Sequence, residues 1–139
     1  VKISRADAEA IQAVARAGHP FEVCGVFLGR GDGRVQRALP VANRETEMPR
    51  VRYQIAPEDL LRIQREAREA GLEIVGYYHS HPDHPARPSE TDRRIAAEGI
   101  SDGVFHVVVG VTGAGQTEAT AWVFRDRSQS FEQEPFEIE

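Results

Sequence analysis

Cysteine is almost absent. The chain of 139 residues has only Cys24, so neither an intrachain disulfide nor a CxxC metal knuckle can form. That fits a reducing compartment, and a cytoplasmic setting is the expectation. Long apolar runs are missing too. Nothing approaches the length of a membrane span, and the first residues lack a signal-peptide pattern. The chain starts at Val1, so a leader before it stays open. Lysine is missing apart from Lys2; every other basic residue is Arg, and none of them form a block. With a net charge of −5, this argues against nucleic acid or an anionic membrane as the main partner. No linker, internal repeat or low-complexity segment divides the chain, and its length suits one domain over residues 1–139. A homodimer is left open by the composition.

What is present reads as an α+β order. Ser4 and Asp7 open a helix whose Ala10, Ile11, Val14 and Ala15 recur at helical spacing until Gly18. Residues 23–29 are apolar and β-prone, and Gly31-Asp32-Gly33 turns them into a returning strand over 35–42. Residues 51–55 alternate as a strand should. Pro57, Glu58 and Asp59 then start a helix with Leu60, Leu61, Ile63 and Ala67 as its apolar stripe, stopped by Gly71. A buried strand is expected over 72–79, a short helix over 89–97 and a central strand over 104–111. A further strand follows over 117–124, then an edge strand or extended tail over 130–138. The economical fold is a mixed sheet flanked by helices. Trp122 reads as core, and His19 and His106 as structural.

The chemistry concentrates in Gly76-Tyr77-Tyr78-His79-Ser80-His81-Pro82 and the Pro-rich stretch after it. Histidines at i and i+2 on a strand face one way, so His79 and His81 can reach one ion if the strand persists through His81. Tyr77 and Tyr78 then face opposite ways. Pro82, Pro85 and Pro88 stiffen the loop towards Asp92 in the first turn of the next helix. Two imidazole nitrogens and one carboxylate make three ligands, the number that leaves a tetrahedral zinc one position for water. The plainer alternative is that Ser89-x-x-Asp92 is an ordinary capping box and the His pair is chance. A hydrolytic site also needs a general base, and spacing leaves Glu22, Glu73, Glu90 and Glu98 all in play. Cys24 shares a side with Glu22 and reads as a small buried hydrophobe. His84 reads as an exposed loop residue.

His79-x-His81-Pro82-x6-Ser89-x2-Asp92, with Glu22-x-x-Gly25 on an upstream strand, resembles the JAMM/MPN+ metalloproteases. The element order is similar over essentially the whole chain. The resemblance implies a single JAMM/MPN domain with a cytidine-deaminase-like sheet. It also implies zinc on His79, His81 and Asp92, Glu22 as acid/base, and Ser89 as a hydroxyl donor to the oxyanion. The link between Asp92 and Val104 is short, like that of compact bacterial members, and the insertions of the large deubiquitinases are missing. The reaction implied is hydrolysis of an amide or isopeptide bond after the C-terminal tail of a small ubiquitin-like sulfur-carrier protein, releasing cysteine or exposing Gly-Gly. Residues 43–53 are the candidate tail-binding segment, by strand addition and through Arg44, Arg50 and Arg52; the alternative is a solvated loop. A non-catalytic MPN scaffold and a small-peptide amidase are the competing functions. A zinc deaminase would need Pro-Cys-x-x-Cys, which a single cysteine excludes.

Overall fold

The computed structural model describes residues 1–99 and 103–139. In chain order it forms β1 (Lys2–Ile3), α1 (Arg5–Gly18), β2 (Cys24–Gly29), β3 (Val35–Val41), α2 (Pro57–Glu69) and β4 (Glu73–Pro82). Then come α3 (Glu90–Glu98), β5 (Phe105–Val111), β6 (Thr117–Arg125), β7 (Ser130–Glu134) and β8 (Glu137–Ile138). Six strands make a mixed sheet in the order β3-β2-β4-β5-β6-β7, and β1 pairs with β8 in a small parallel sheet of its own. The short link expected before Val104 includes residues 100–102, which lie outside the described residues.

The sheet has a helix on each face because strand side chains alternate. On one face Ile11 and Ala15 of α1 pack with Phe27, Tyr78, Phe105, Val107 and Val109. On the other, Ile63 and Ala67 of α2 pack with Val26, Leu28, Ile74 and Tyr77. Tyr77 and Tyr78 therefore point to opposite faces, as the sequence requires. Buried apolar side chains of this size contribute about 1.5–3 kcal/mol each, so the two layers are the main stabilising term. β2 is buried along its whole length between β3 and β4, which explains its unbroken apolar run.

Gly25 in the Glu22-x-x-Gly25 pattern has a packing reason. It lies opposite Tyr78, and a Cβ there would sit 2.2 Å from the Tyr78 ring. The ring occupies the space that any other residue's side chain would need.

β4 outlasts its sequence estimate. It runs to Pro82 because it pairs in parallel with β5, His81 opposite Gly110 and Pro82 opposite Val111. A parallel pair needs a crossover, and the Pro-rich loop and α3 supply it. Functional sites on such sheets collect outside the carboxyl ends of parallel strands, and His79 and His81 lie at that end of β4.

Three expectations are corrected. Residues 51–55 form no strand. The Asn43 side chain and the Arg44 backbone take the place of a partner strand. Asn43 Oδ1 accepts from Gln54 N at 3.0 Å, and Arg44 N donates to Gln54 O at 2.8 Å. Leu61 is not in the stripe of α2; it is 61% exposed. Trp122 is only half-buried, its indole N–H donating to Thr120 Oγ1 at 2.8 Å. β1 has no sequence signal, since two residues carry no periodicity.

Candidate metal centre

Three nitrogen and oxygen atoms converge at the end of β4. His79 Nε2 lies 3.1 Å from His81 Nε2 and 3.1 Å from Asp92 Oδ2, and His81 Nε2 lies 3.0 Å from the same oxygen. The two histidines are buried. Strand geometry does persist through His81, so both rings leave β4 on the α2 face. Asp92 arrives from the first turn of α3, whose start is a complete capping box: Asp92 N donates to Ser89 Oγ at 3.1 Å, and Ser89 N donates to Asp92 Oδ2 at 2.8 Å. The helix cap and the metal-site reading are thus one structure. The box aims Asp92 Oδ2 at the histidines, and Ser89 keeps a hydroxyl hydrogen to donate because its oxygen only accepts in the box.

The donor set fits a cation. His81 Nδ1 lies 3.2 Å from the carbonyl of Pro85, which can only accept. A proton therefore sits on Nδ1, and Nε2 faces Asp92 either as a lone pair turned to a shared cation or, without one, as the second N–H of an imidazolium. Two acceptors 3.0 Å apart in a buried place need a positive charge between them. Among the described residues, His79 Nδ1 and Glu22 Oε1 are buried without a hydrogen-bond partner. Two imidazoles and a carboxylate are also the donor types that zinc takes.

Glu22 reaches the group from the residues just before β2. Its carboxylate, with His79 and His81, forms a set of ligand-type atoms all within 4.8 Å of one another. The β2–β4 register, with Cys24 opposite His79, brings it there. Glu22 N donates to Pro49 O at 2.8 Å, and Asn43 Nδ2 donates to Glu22 O at 3.0 Å, so its backbone is held on both sides. Asp92 rather than Glu22 closes the tight triangle; Glu22 stands beside it. Glu73 begins β4, far along the strand from His79 and His81; Glu90 pairs with Arg93 and Arg94.

Electrostatics separates the two carboxyls. Burial is the largest influence on Glu22 and pushes its pKa up to about 8, although His81 pulls it down. Burial also pushes Asp92 up, but the charge and hydrogen bonds of His79 and His81 outweigh it and hold Asp92 far below the usual range. Burial lowers His81, and Asp92 outweighs it, so the net direction is upward.

A pH dependence of stability follows for protein stripped of divalent cations. Native Glu22 keeps its proton up to about pH 8, while the unfolded chain releases it near 4.5. Between those values unfolding releases a proton, so stability falls as pH rises, by up to about 5 kcal/mol. Asp92 acts oppositely: its contribution is present above its ordinary 3.8 and is lost as the solution becomes more acid. Urea unfolding in chelator from pH 6.5 to 8, above the range in which His106 (pushed down to about 4 by burial) acts the opposite way, should show the decline, and zinc should shrink it by favouring the Glu22 carboxylate. A flat profile in chelator would contradict the buried, neutral Glu22.

Other side chains frame the centre. Tyr53 stacks on His79 with ring centroids 4.7 Å apart and planes at 22°. No local signal in the sequence pairs these two residues. Cys24 is buried, donates to Val41 O at 3.4 Å, and its thiol is pushed up to about 12 by burial, so it is inert packing. His19 Nε2 meets Asp83 Oδ2 at 2.9 Å, and Asp83 Oδ1 accepts from Gly113 N at 3.2 Å. Together they tie the segment after His81 to α1 and to the β5–β6 turn. His106 is half-buried and stacks with Tyr77. His84 is exposed, as expected. Of the three arginines of residues 43–53, Arg44 pairs with Asp59, Arg50 lies 5.8 Å from the Phe21 ring, and Arg52 lines a cavity of about 720 Å³ that reaches His79 and Asp92.

A mixed sheet carrying two strand-borne histidines, a helix-borne aspartate and a buried glutamate defines an α+β protein with a candidate metal site. Residues 4–125 match the family described as prokaryotic homologs of the JAB domain, and the chain belongs to that JAMM/MPN family. It is 47% identical over 79 residues to the desampylase of Haloferax volcanii, covering 56% of this chain and 56% of that protein. It is 37% identical over 100 residues to the CysO-cysteine peptidase of Mycobacterium tuberculosis, covering 70% of this chain and 67% of that one. The chain thus spans a little over half the length of the Haloferax relative. A solved structure of a Desulfitobacterium hafniense protein is similar over 99% of this chain and 92% of that chain, with a TM-score of 0.83 and 26% sequence identity.

Proposed function

We propose that the chain, acting as one domain over residues 1–139, is a zinc-dependent peptidase that hydrolyses an amide bond at the C-terminus of a small ubiquitin-like sulfur-carrier protein. The observation that carries this is the 3.0–3.1 Å triangle of His79, His81 and Asp92 with the Glu22 carboxyl beside it. Relatives named desampylase and CysO-cysteine peptidase support the substrate class. A cytoplasmic setting goes with this reading. It is supported by the single buried thiol, and among the described residues no helix is long and apolar enough to cross a membrane.

His79, His81 and Asp92 would hold the zinc. Bound there, zinc supplies Lewis-acid polarisation of a carbonyl and lowers the pKa of water towards ~7. Glu22 takes a proton from the attacking water as its oxygen adds to the carbonyl carbon. It then delivers that proton to the nitrogen as the C–N bond breaks, so acid and amine leave in balance. A carboxyl with a pKa near neutrality suits both transfers. The Ser89 hydroxyl donates to the carbonyl oxygen as negative charge develops there; donors of this kind are commonly worth on the order of 10²–10³ in rate. The acyl side of the substrate lies in the cavity of about 720 Å³, whose lining includes Tyr53, Ile55, Leu60 and Ile95.

The test is mass spectrometry of sulfur carriers bearing C-terminal extensions, incubated with zinc-loaded protein and with chelator. Loss of the extension only with zinc is the expected result. Intact carriers across the whole panel in the presence of stoichiometric zinc would overturn the proposal.

A further inference from the structure

Two openings meet at the metal-binding triangle, and they differ in kind. The cavity of about 720 Å³ touches His79 and Asp92. The second is a cleft of about 300 Å³ that holds Glu22, His81, Ser89 and Arg87. Glu22 lines the smaller opening and not the larger. A group that protonates a departing nitrogen has to stand on the leaving side of the scissile bond. On the reading proposed above, the small cleft therefore receives the residue whose amine departs.

Arg87 is the feature of that cleft that its own fold does not use. Its guanidinium has no hydrogen bond or ion pair among the described residues. Most other arginines near the site are engaged: Arg44 with Asp59, Arg93 and Arg94 with Glu90. The backbone that presents Arg87 is nonetheless fixed. Arg87 N donates to Pro85 O at 2.9 Å, the same carbonyl that lies 3.2 Å from His81 Nδ1. Ala86 is buried and its carbonyl accepts from Thr120 Oγ1. Pro85 and Pro88 restrict the backbone on either side. Arg87 lines the same cleft as Glu22 and Ser89 and is exposed, and its guanidinium has no carboxylate of its own among the described residues, so it is suited to a carboxylate brought by the substrate.

The position of that carboxylate is set by the chemistry of the leaving group. When one amino acid departs as an α-amine, its ionised α-carboxylate is one carbon from the departing nitrogen. A longer peptide has a neutral amide there, and a lysine side chain joined through its ε-amine has only methylenes. We propose that Arg87 is a specificity-determining residue that binds the free α-carboxylate of a single amino acid on the leaving side. The site thereby favours removal of one C-terminal residue over internal or isopeptide cleavage.

The experiment uses one carrier protein in three forms: extended by one residue with a free carboxylate, extended by the same residue as its amide, and joined to a lysine ε-amine. Zinc-loaded wild type should cleave the free acid about tenfold faster in kcat/KM than the other two, mostly through KM. In Arg87→Gln the acid-to-amide ratio should fall close to one, and Arg87→Lys should restore part of it. Arg87 is exposed, so these variants should fold. Equal rates on acid and amide in the wild type would overturn the assignment while leaving the peptidase intact. So would an Arg87→Gln variant that slows all three forms equally, because the carboxylate would then belong to the body of the carrier. Failure of the wild type on every form would reject the peptidase reading itself, and this assignment with it.

Discussion

Glu22→Gln should lower kcat by roughly 10²–10⁴, the usual range for loss of a general acid/base, while zinc content and fold are retained. The substitution is well posed because of where Glu22 sits. The side chain is 5% exposed, and burial holds it neutral up to about pH 8. Gln is nearly isosteric with that neutral form, and the backbone bonds of Glu22 to Pro49 and Asn43 do not involve the side chain. The His79–His81–Asp92 triangle is untouched. The expected result is therefore a folded, metal-loaded protein that binds substrate and barely turns it over. Steady-state kinetics with metal analysis on the same sample decides it. A rate equal to the wild type would remove Glu22 as the proton carrier.

His81→Ala should bring zinc content close to zero and activity to background. His81 contributes one corner of the triangle and also meets Pro85 O through Nδ1. Without it His79 is left as the only imidazole facing Asp92. Losing a group that merely orients a ligand through a hydrogen bond commonly costs about 10–100-fold in metal affinity, and loss of a direct ligand costs more. Stability without metal should fall as well, by about 1–3 kcal/mol, because a buried carboxylate loses a hydrogen-bond partner. The two effects separate experimentally: inductively coupled plasma mass spectrometry reads the metal, and urea unfolding in chelator reads the fold. Unchanged zinc stoichiometry would exclude His81 from the ligand set.

These two substitutions probe different levels of the structure. His79 and His81 share a face because residues two apart on a strand must, and Ser89 and Asp92 meet because a capping box spans three residues. Both facts are local, so the motif could be read before any fold was known. The two helix faces and the buried β2 run follow from the same kind of short-range pattern. The alternation over residues 51–55, which predicts a strand, has a physical basis in the structure. Tyr53 and Ile55 are the inward residues there and Arg52 and Gln54 the outward ones. Period-two burial also arises in a segment that crosses a surface with one side covered, and only the hydrogen-bond partners tell the two apart.

By itself the sequence determined the strand that carries both histidines and the capped helix that follows it, because each depends on residues within a few positions, and its one cysteine excludes an intrachain disulfide. Tertiary structure alone decided the rest. The antiparallel β2–β4 register brings Glu22 to the histidines, and the crossing of residues 51–55 lays Tyr53 on His79. Parallel pairing with β5 extends β4 through His81. The single oxygen Asp92 Oδ2 serves both the helix cap and the triangle. These are contacts between segments far apart in the chain. Their geometry is set by pairing and packing of whole elements, which no short window of sequence contains.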